Sequence, residues 1–175
     1  MNFRCVVSSV FLLFLTACGG LPKGINPVDG FDVNRYLGTW YEVARLDHRF
    51  ERGLSNVSAQ YSLQENGTVR VVNRGYNIDN KKFTEAVGRA RFVGETDEGY
   101  LEVSFFGPFF GSYVVFELDA DYRHAYVAGN NRSNLWFLSR TPTVSQAQMD
   151  AFVAQAKALG FPVEQLIFVD QSLAR

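Results

Sequence analysis

The sequence predicts an all-β fold: an eight-stranded antiparallel up-and-down barrel, with one C-terminal helix packed on its wall and a short last strand. Three observations predict it. From Phe31 onward the chain falls into short runs that alternate apolar and polar residues, separated by Gly, Asn, Asp and Pro turn signals. Aromatic residues make up 15% of the chain, with 16 Phe and 8 Tyr, a composition that suits pleated structure. Near the C-terminus the period changes once, to that of a helix. At 175 residues and 47% hydrophobic, the chain can bury the core of one domain.

The first strand is read at Gly38 to Arg45, around the β-rich run Thr39-Trp40-Tyr41-Glu42-Val43. The second, Asn56 to Leu63, places Val57, Ala59, Tyr61 and Leu63 on one face and Ser58, Gln60 and Ser62 on the other. Glu65-Asn66-Gly67 supplies a hairpin turn, because Asn-Gly tolerates the positive φ angles of tight connections. Val69 to Tyr76 is the third strand and Phe83 to Val93 the fourth, with small residues Ala86, Gly88 and Ala90 along one face. Tyr100 to Phe106 is the fifth, ended by Gly107-Pro108, and Ser112 to Leu118 the sixth. Both faces of the sixth are apolar, so either Tyr113 and Val115 or Val114 and Phe116 can face inward. Tyr122 to Gly129 and Leu135 to Ser139 complete the eight. Short connections between them chain hairpins into a meander, and eight strands suffice to close a barrel with no exposed edge. Ser145-Gln146-Ala147-Gln148 then reads as a capping box. Met149, Phe152, Val153, Ala156 and Leu159 follow at helical spacing, Gly160 is the stop, and Leu166 to Val169 is the last short strand.

The N-terminus is a separate object. Val6 to Leu15 is nearly all apolar and too short to span a bilayer as a helix, which fits a signal-peptide core. Leu15-Thr16-Ala17-Cys18 resembles the lipobox of bacterial lipoproteins. That resemblance implies a signal peptide at residues 1–17, cleavage before Cys18, and lipidation of Cys18. Cys5 would leave with the signal, so the exported chain would hold no disulfide. Gly19 stands after the Cys where an Asp commonly implies inner-membrane retention, so an outer-membrane address is expected. Residues 18–30 read as the lipidated N-terminus and tether, being rich in Gly and Pro and without periodicity. Residues 31–175 read as the barrel domain.

Gly38-Thr39-Trp40, Asp121-Tyr122 and Arg140 resemble, in order, the three signatures of the lipocalins. The stretches Tyr36 to Arg45, Val103 to Phe109 and Leu135 to Pro142 look like the bacterial outer-membrane, lipid-anchored members of that family. One departure is Ala120, where many members have Thr, which puts one turn hydrogen bond in question. The resemblance implies a carrier of fatty acids or lysophospholipids, facing the periplasm, with no cofactor. Gly38, Trp40, Asp121, Tyr122 and Arg140 are assigned to structure: Trp40 plugs the closed end, and Arg140 lays its guanidinium over the indole.

The ligand site is therefore sought elsewhere. If the Trp40 end is closed, the mouth carries the loops Leu46 to Asn56, Tyr76 to Lys82, Phe106 to Gly111 and Asn130 to Asn134. Candidate cavity residues are Tyr61, Ala90, Phe92, Leu101, Val103, Phe105 and Tyr113, with Gly88 and Ala90 small enough to leave room. Phe109 belongs to an apolar cluster at the entrance, either a rim or a lid. His48 and Arg49, in the first mouth loop, are the candidate head-group contacts; the plainer reading of His48 is a solvated loop residue.

Other functions find no support in the residues. With a net charge of −1 and a pI of about 6.1, the chain has no basic field to attract nucleic acid. No nucleophile–base order, phosphate loop or metal-ligand pair stands out, so no catalytic or metal residue is assigned and an enzyme is not expected. A structural envelope lipoprotein with a packed barrel and no ligand is the alternative. Oligomeric state is left open, a dimer included.

Overall fold

The structure, a computed structural model, describes residues 21–173. The signal segment and Cys18 lie outside the described residues. A single helical turn, α1 (Val33–Tyr36), leads into β1 (Gly38–Leu46), β2 (Leu54–Leu63), β3 (Val69–Asn77), β4 (Lys82–Phe92), β5 (Tyr100–Phe106), β6 (Phe109–Leu118), β7 (His124–Ala128) and β8 (Leu135–Ser139). The helix α2 (Gln146–Ala158) and the strand β9 (Leu166–Phe168) follow.

Strands β2 to β8 pair in chain order, and β8 pairs with β1. One edge of β1 is shared: Gly38 to Tyr41 pair with β2, while Ala44 to Leu46 pair with β9. Gln171 bridges the gap by donating to the carbonyls of Glu42 and Val57 at 2.7 and 2.8 Å. The eight-stranded barrel is thereby closed, as the alternation and turn signals predict.

The apolar residues sort into two layers. Trp40, Tyr61, Val71, Ala90, Leu101, Val115, Val127 and Leu138 fill the barrel. Val43, Val114, Tyr126, Leu135 and Phe137 point outward and pack under α2. The helix starts with the expected capping box between Ser145 and Gln148. It buries Phe152 against Phe137 and Tyr126, with ring centroids 5.0 and 4.9 Å apart. This settles the sixth strand: Tyr113 and Val115 face inward, and Val114 and Phe116 face the helix layer.

Three expectations are corrected, and one element that the sequence reading missed is added. β6 begins at Phe109 rather than Ser112, because Phe106 and Phe109 pair directly across the tight Gly107-Pro108 turn. β7 begins at His124, because Tyr122 takes φ 58° in the preceding turn. The helical turn α1 carries no apolar period and is not legible as one; Asp32 caps it by accepting from the Asn34 amide at 2.9 Å. The segment read as a tether is docked from Leu21 on. Leu21 and Ile25 pack in the helix layer, Val28 exchanges backbone bonds with Val115 and Gly99, and the Phe31 amide donates to Asp97.

Candidate functional site

The floor of the barrel is built by the signature residues. Trp40 is fully buried and its Nε1 donates to the Tyr36 carbonyl at 2.8 Å. The Arg140 guanidinium lies 4.0 Å from the Trp40 ring and donates to the carbonyls of Arg35, Thr39 and Tyr122. Gly38 has φ +93°, and a Cβ there would sit 3.4 Å from Arg140 Nη1. The Tyr122 hydroxyl accepts from the Asp32 amide at 2.8 Å. Asp121 is exposed; the turn is instead held by Asp119, whose carboxylate accepts from the amides of Arg123 and His124. Asp119 thus supplies turn bonds despite Ala120.

Above the floor, three tyrosines meet. The Tyr113 hydroxyl lies 2.7 Å from that of Tyr36 and 2.9 Å from that of Tyr61. Burial pushes all three phenols far up, so they stay neutral hydrogen-bonding groups. Around them Ala90 and Leu101 are buried, and Phe92, Val103 and Phe105 pack against them. The remaining void is about 10 Å³, with room for at most one water molecule. The space expected beside the small residues of β4 is filled: a Cβ on Gly88 would lie 2.8 Å from the Phe105 ring and from the Ser104 carbonyl. Tyr61, Ala90, Phe92, Leu101, Val103 and Tyr113 therefore come together as a packed lower half.

The upper half is different. Register places Asn73, Gly75, Thr84 and Ala86 on the inward face with Val71 and Ala90, yet Thr84 and Ala86 are exposed. The barrel is open to solvent above Gly88.

Opposite this opening, the wall carries a buried polar cluster that the sequence reading missed. A bulge between Glu42 and Ala44 shifts the pleat, so Glu42 and Arg45 reach the same inner face. Arg45, 2% exposed, contacts Glu42 Oε1 at 2.7 Å and donates to the carbonyls of Glu51 and Leu54 at 3.0 and 3.1 Å. Trp136 Nε1 donates to Glu51 Oε2 at 3.3 Å, and His48 Nε2 lies 2.9 Å from the same oxygen. The His48 ring stands edge-on to Trp136, with centroids 5.1 Å apart. Its side chain is only 11% exposed, so the expectation of a solvated loop histidine is corrected. Arg45 Nε and His48 Nδ1 have no hydrogen-bond partner among the described residues.

Burial and the neighbouring Glu51 carboxylate hold the Glu42 carboxyl well above the usual range. Burial also pushes Glu51 up, but its contacts with His48, Glu42 and Arg45 outweigh that and hold it below its ordinary value. The two carboxyl groups are thus pushed in opposite directions, Glu42 towards its protonated form and Glu51 towards its charged form. A strict two-residue period hides this cluster, since positions 42 and 45 would fall on opposite faces. The visible signal was two opposite charges inside an otherwise β-rich run.

The rim is aromatic. Phe109 is 79% exposed at the hairpin tip, and Phe50 and Phe106 stack with centroids 6.4 Å apart. Arg49 lies over the Phe50 ring at 4.7 Å and so belongs to the rim, away from the inner cluster.

Comparison with known proteins agrees with this architecture. Residues 31–171 match the model of the lipocalin-like domain family. Outer membrane lipoprotein Blc of Vibrio cholerae is 51% identical over 169 residues, covering 96% of this chain and 99% of that protein. Its namesake from Citrobacter freundii is 49% identical, with 98% of each chain covered. Insecticyanin from the tobacco hornworm Manduca sexta shares the fold at 18% identity, with a TM-score of 0.68 over 86% of each chain. By sequence and by fold, this chain belongs to the lipocalin-like family.

Proposed function

We propose that this chain is an outer-membrane lipoprotein, anchored through an acylated Cys18 and facing the periplasm, that binds a single-chain amphiphile such as a fatty acid or lysophospholipid. It carries or stores this ligand and catalyses nothing. The address rests on the close resemblance to proteins named outer membrane lipoprotein Blc. The observation that carries the binding reading is the graded inner wall. It runs from a packed aromatic floor, past half-buried Val103 and Phe105, to an open upper half where Thr84 and Ala86 are exposed under a rim of Arg49, Phe50 and Phe109. A chain lying against Phe105 and Ala86 would bring its head to the rim beside Arg49 and Phe109, above the buried cluster of Glu42, Arg45, Glu51 and His48.

Because the floor is packed, the accommodated chain is limited to the upper half. Each buried methylene contributes about 0.8 kcal/mol. Affinity should therefore rise with acyl length and then level off once the upper half is full. Displacement of a fluorescent fatty acid by a homologous series of fatty acids measures this. A flat series would exclude an acyl chain as the ligand, and no displacement at all would favour a packed barrel without cargo.

A further inference from the structure

We propose that the mouth of the barrel docks on the lipid surface to which the chain is anchored, so that ligand passes between leaflet and barrel without crossing water. The inference rests on the acylation of Cys18 in the reading above, and it adds an orientation that the reading does not contain.

The path of the N-terminal segment fixes where the anchor emerges. The Phe31 amide bonds Asp97, in the turn between β4 and β5 at the closed end. Going backward along the chain, Val28 pairs with Val115 halfway up the wall, and Ile25 packs in the helix layer. The Lys23 carbonyl then accepts from Arg132, which lies in the loop between β7 and β8 at the mouth. The segment therefore climbs the outside of the barrel and reaches its open end at Leu21 to Lys23. Cys18 is three residues before Leu21, a reach of at most about 10 Å. A lipid on Cys18 holds the mouth, not the floor, within that distance of the membrane.

The surface at that end fits the same partner. Phe50, Phe106, Phe109 and Ile78 are exposed by 63%, 68%, 79% and 55%, and they come from three separate loops around one opening. Such a ring of exposed apolar side chains suits contact with lipid. Arg49, Arg52, Lys81 and Lys82 are exposed beside these rings, against Asp47, which pairs with Arg52, and Asp79. The opposite end mixes Glu95, Asp97, Asp119 and Asp121 with Arg35, Arg123 and Arg140, and it carries no comparable ring of exposed aromatic side chains among the described residues. A basic, aromatic mouth suits anionic head groups, and the mixed charge of the floor does not.

The test uses the full chain, acylated and reconstituted in vesicles of phosphatidylethanolamine and phosphatidylglycerol. With Cys5 removed and Cys18 blocked by lipid, Phe109→Cys or Ile78→Cys gives one free thiol at the mouth, and Glu65→Cys gives one at the closed end. Each is labelled with a fluorophore, and the labelled protein is weighed. Quenching by a lipid-borne nitroxide and by aqueous iodide is then compared. Mouth labels should be quenched several-fold more by the nitroxide than the label at 65, and iodide should show the reverse order. Equal iodide access at both ends overturns the proposal. So does shielding of the mouth labels that appears only when vesicles carry several copies, which assigns the rim to a second copy of the chain. A second label at Cys18 in the weighed protein overturns the premise of acylation instead. None of these readouts needs bound ligand, so an empty barrel that still docks would separate failure of the binding reading from failure of this one.

Discussion

Arg140 and Trp40 divide the work of closing the floor. The indole is fully buried against the Tyr36 ring, and the guanidinium covers it while satisfying three carbonyls. Losing the cation–π contact and those hydrogen bonds should cost about 2–3 kcal/mol in Arg140→Ala. That corresponds to a melting temperature lowered by about 5–10 °C, with the order of ligand preference unchanged. Differential scanning calorimetry and a ligand panel check both halves; altered selectivity at full stability would contradict the structural role. The polar cluster makes a second prediction, about pH. Glu42, raised in the fold, contributes stability that is complete below its unfolded value and is lost as pH rises through the raised folded value. Glu51, lowered in the fold, contributes stability that is present above its unfolded value near 4.5 and is lost as pH falls through the lowered one. Glu42→Gln keeps a neutral donor towards Glu51, so thermal melts across pH should show the alkaline decline flattened and the acid limb retained. Glu51→Gln should remove the acid limb's contribution and destabilise at neutral pH, because Arg45 then lies buried without its full counter-charge. Trp40 and Arg140 were readable from their motif positions. Glu42, Arg45 and Glu51 were not, because their inward placement depends on one bulge and on a loop folding back.

Strand β4 shows how a single element can belong to two environments. Its C-terminal half, Gly88 to Phe92, packs on the floor, whereas Thr84 and Ala86 face an open space. Ala90→Trp should therefore overpack a region whose void is about 10 Å³, at a cost of about 1–3 kcal/mol or more. Ala86→Trp should leave the melting temperature near the parent value and weaken long-chain binding. Paired melts and fatty-acid titrations decide it; a stable Ala90→Trp with weakened binding would place the cavity lower than the structure does. Alternation located strands such as β2, which have one face against the core, whereas β1 was found from its β-rich run and β6, apolar on both faces, from its flanking turns. Small side chains at Gly88 and Ala90 suggested room, but a small residue is equally the partner of a large one, here Phe105. The single helical turn at Val33 to Tyr36 and the docking of Leu21 to Phe31 left no trace in periodicity. Both are held by backbone bonds to distant turns, which sequence pattern does not report.

At the scale of the whole molecule, the barrel has one end sealed by Trp40 and Arg140 and the other open, aromatic and basic. Family membership explains the sealed end, while the open end determines what can be held. The fold was legible because a closed meander with one wall helix follows from strand count, short turns and one change of period. The extent of the cavity was not, because it depends on how Phe105 and three tyrosines divide the interior. Native mass spectrometry of the purified acylated protein, with released lipid identified, decides whether the open half holds a single-chain amphiphile. One non-covalently bound single-chain lipid per barrel is expected, lost from Ala86→Trp and retained in Arg140→Ala. A barrel that carries no lipid, and takes up none when offered fatty acid or lysophospholipid, would contradict that expectation.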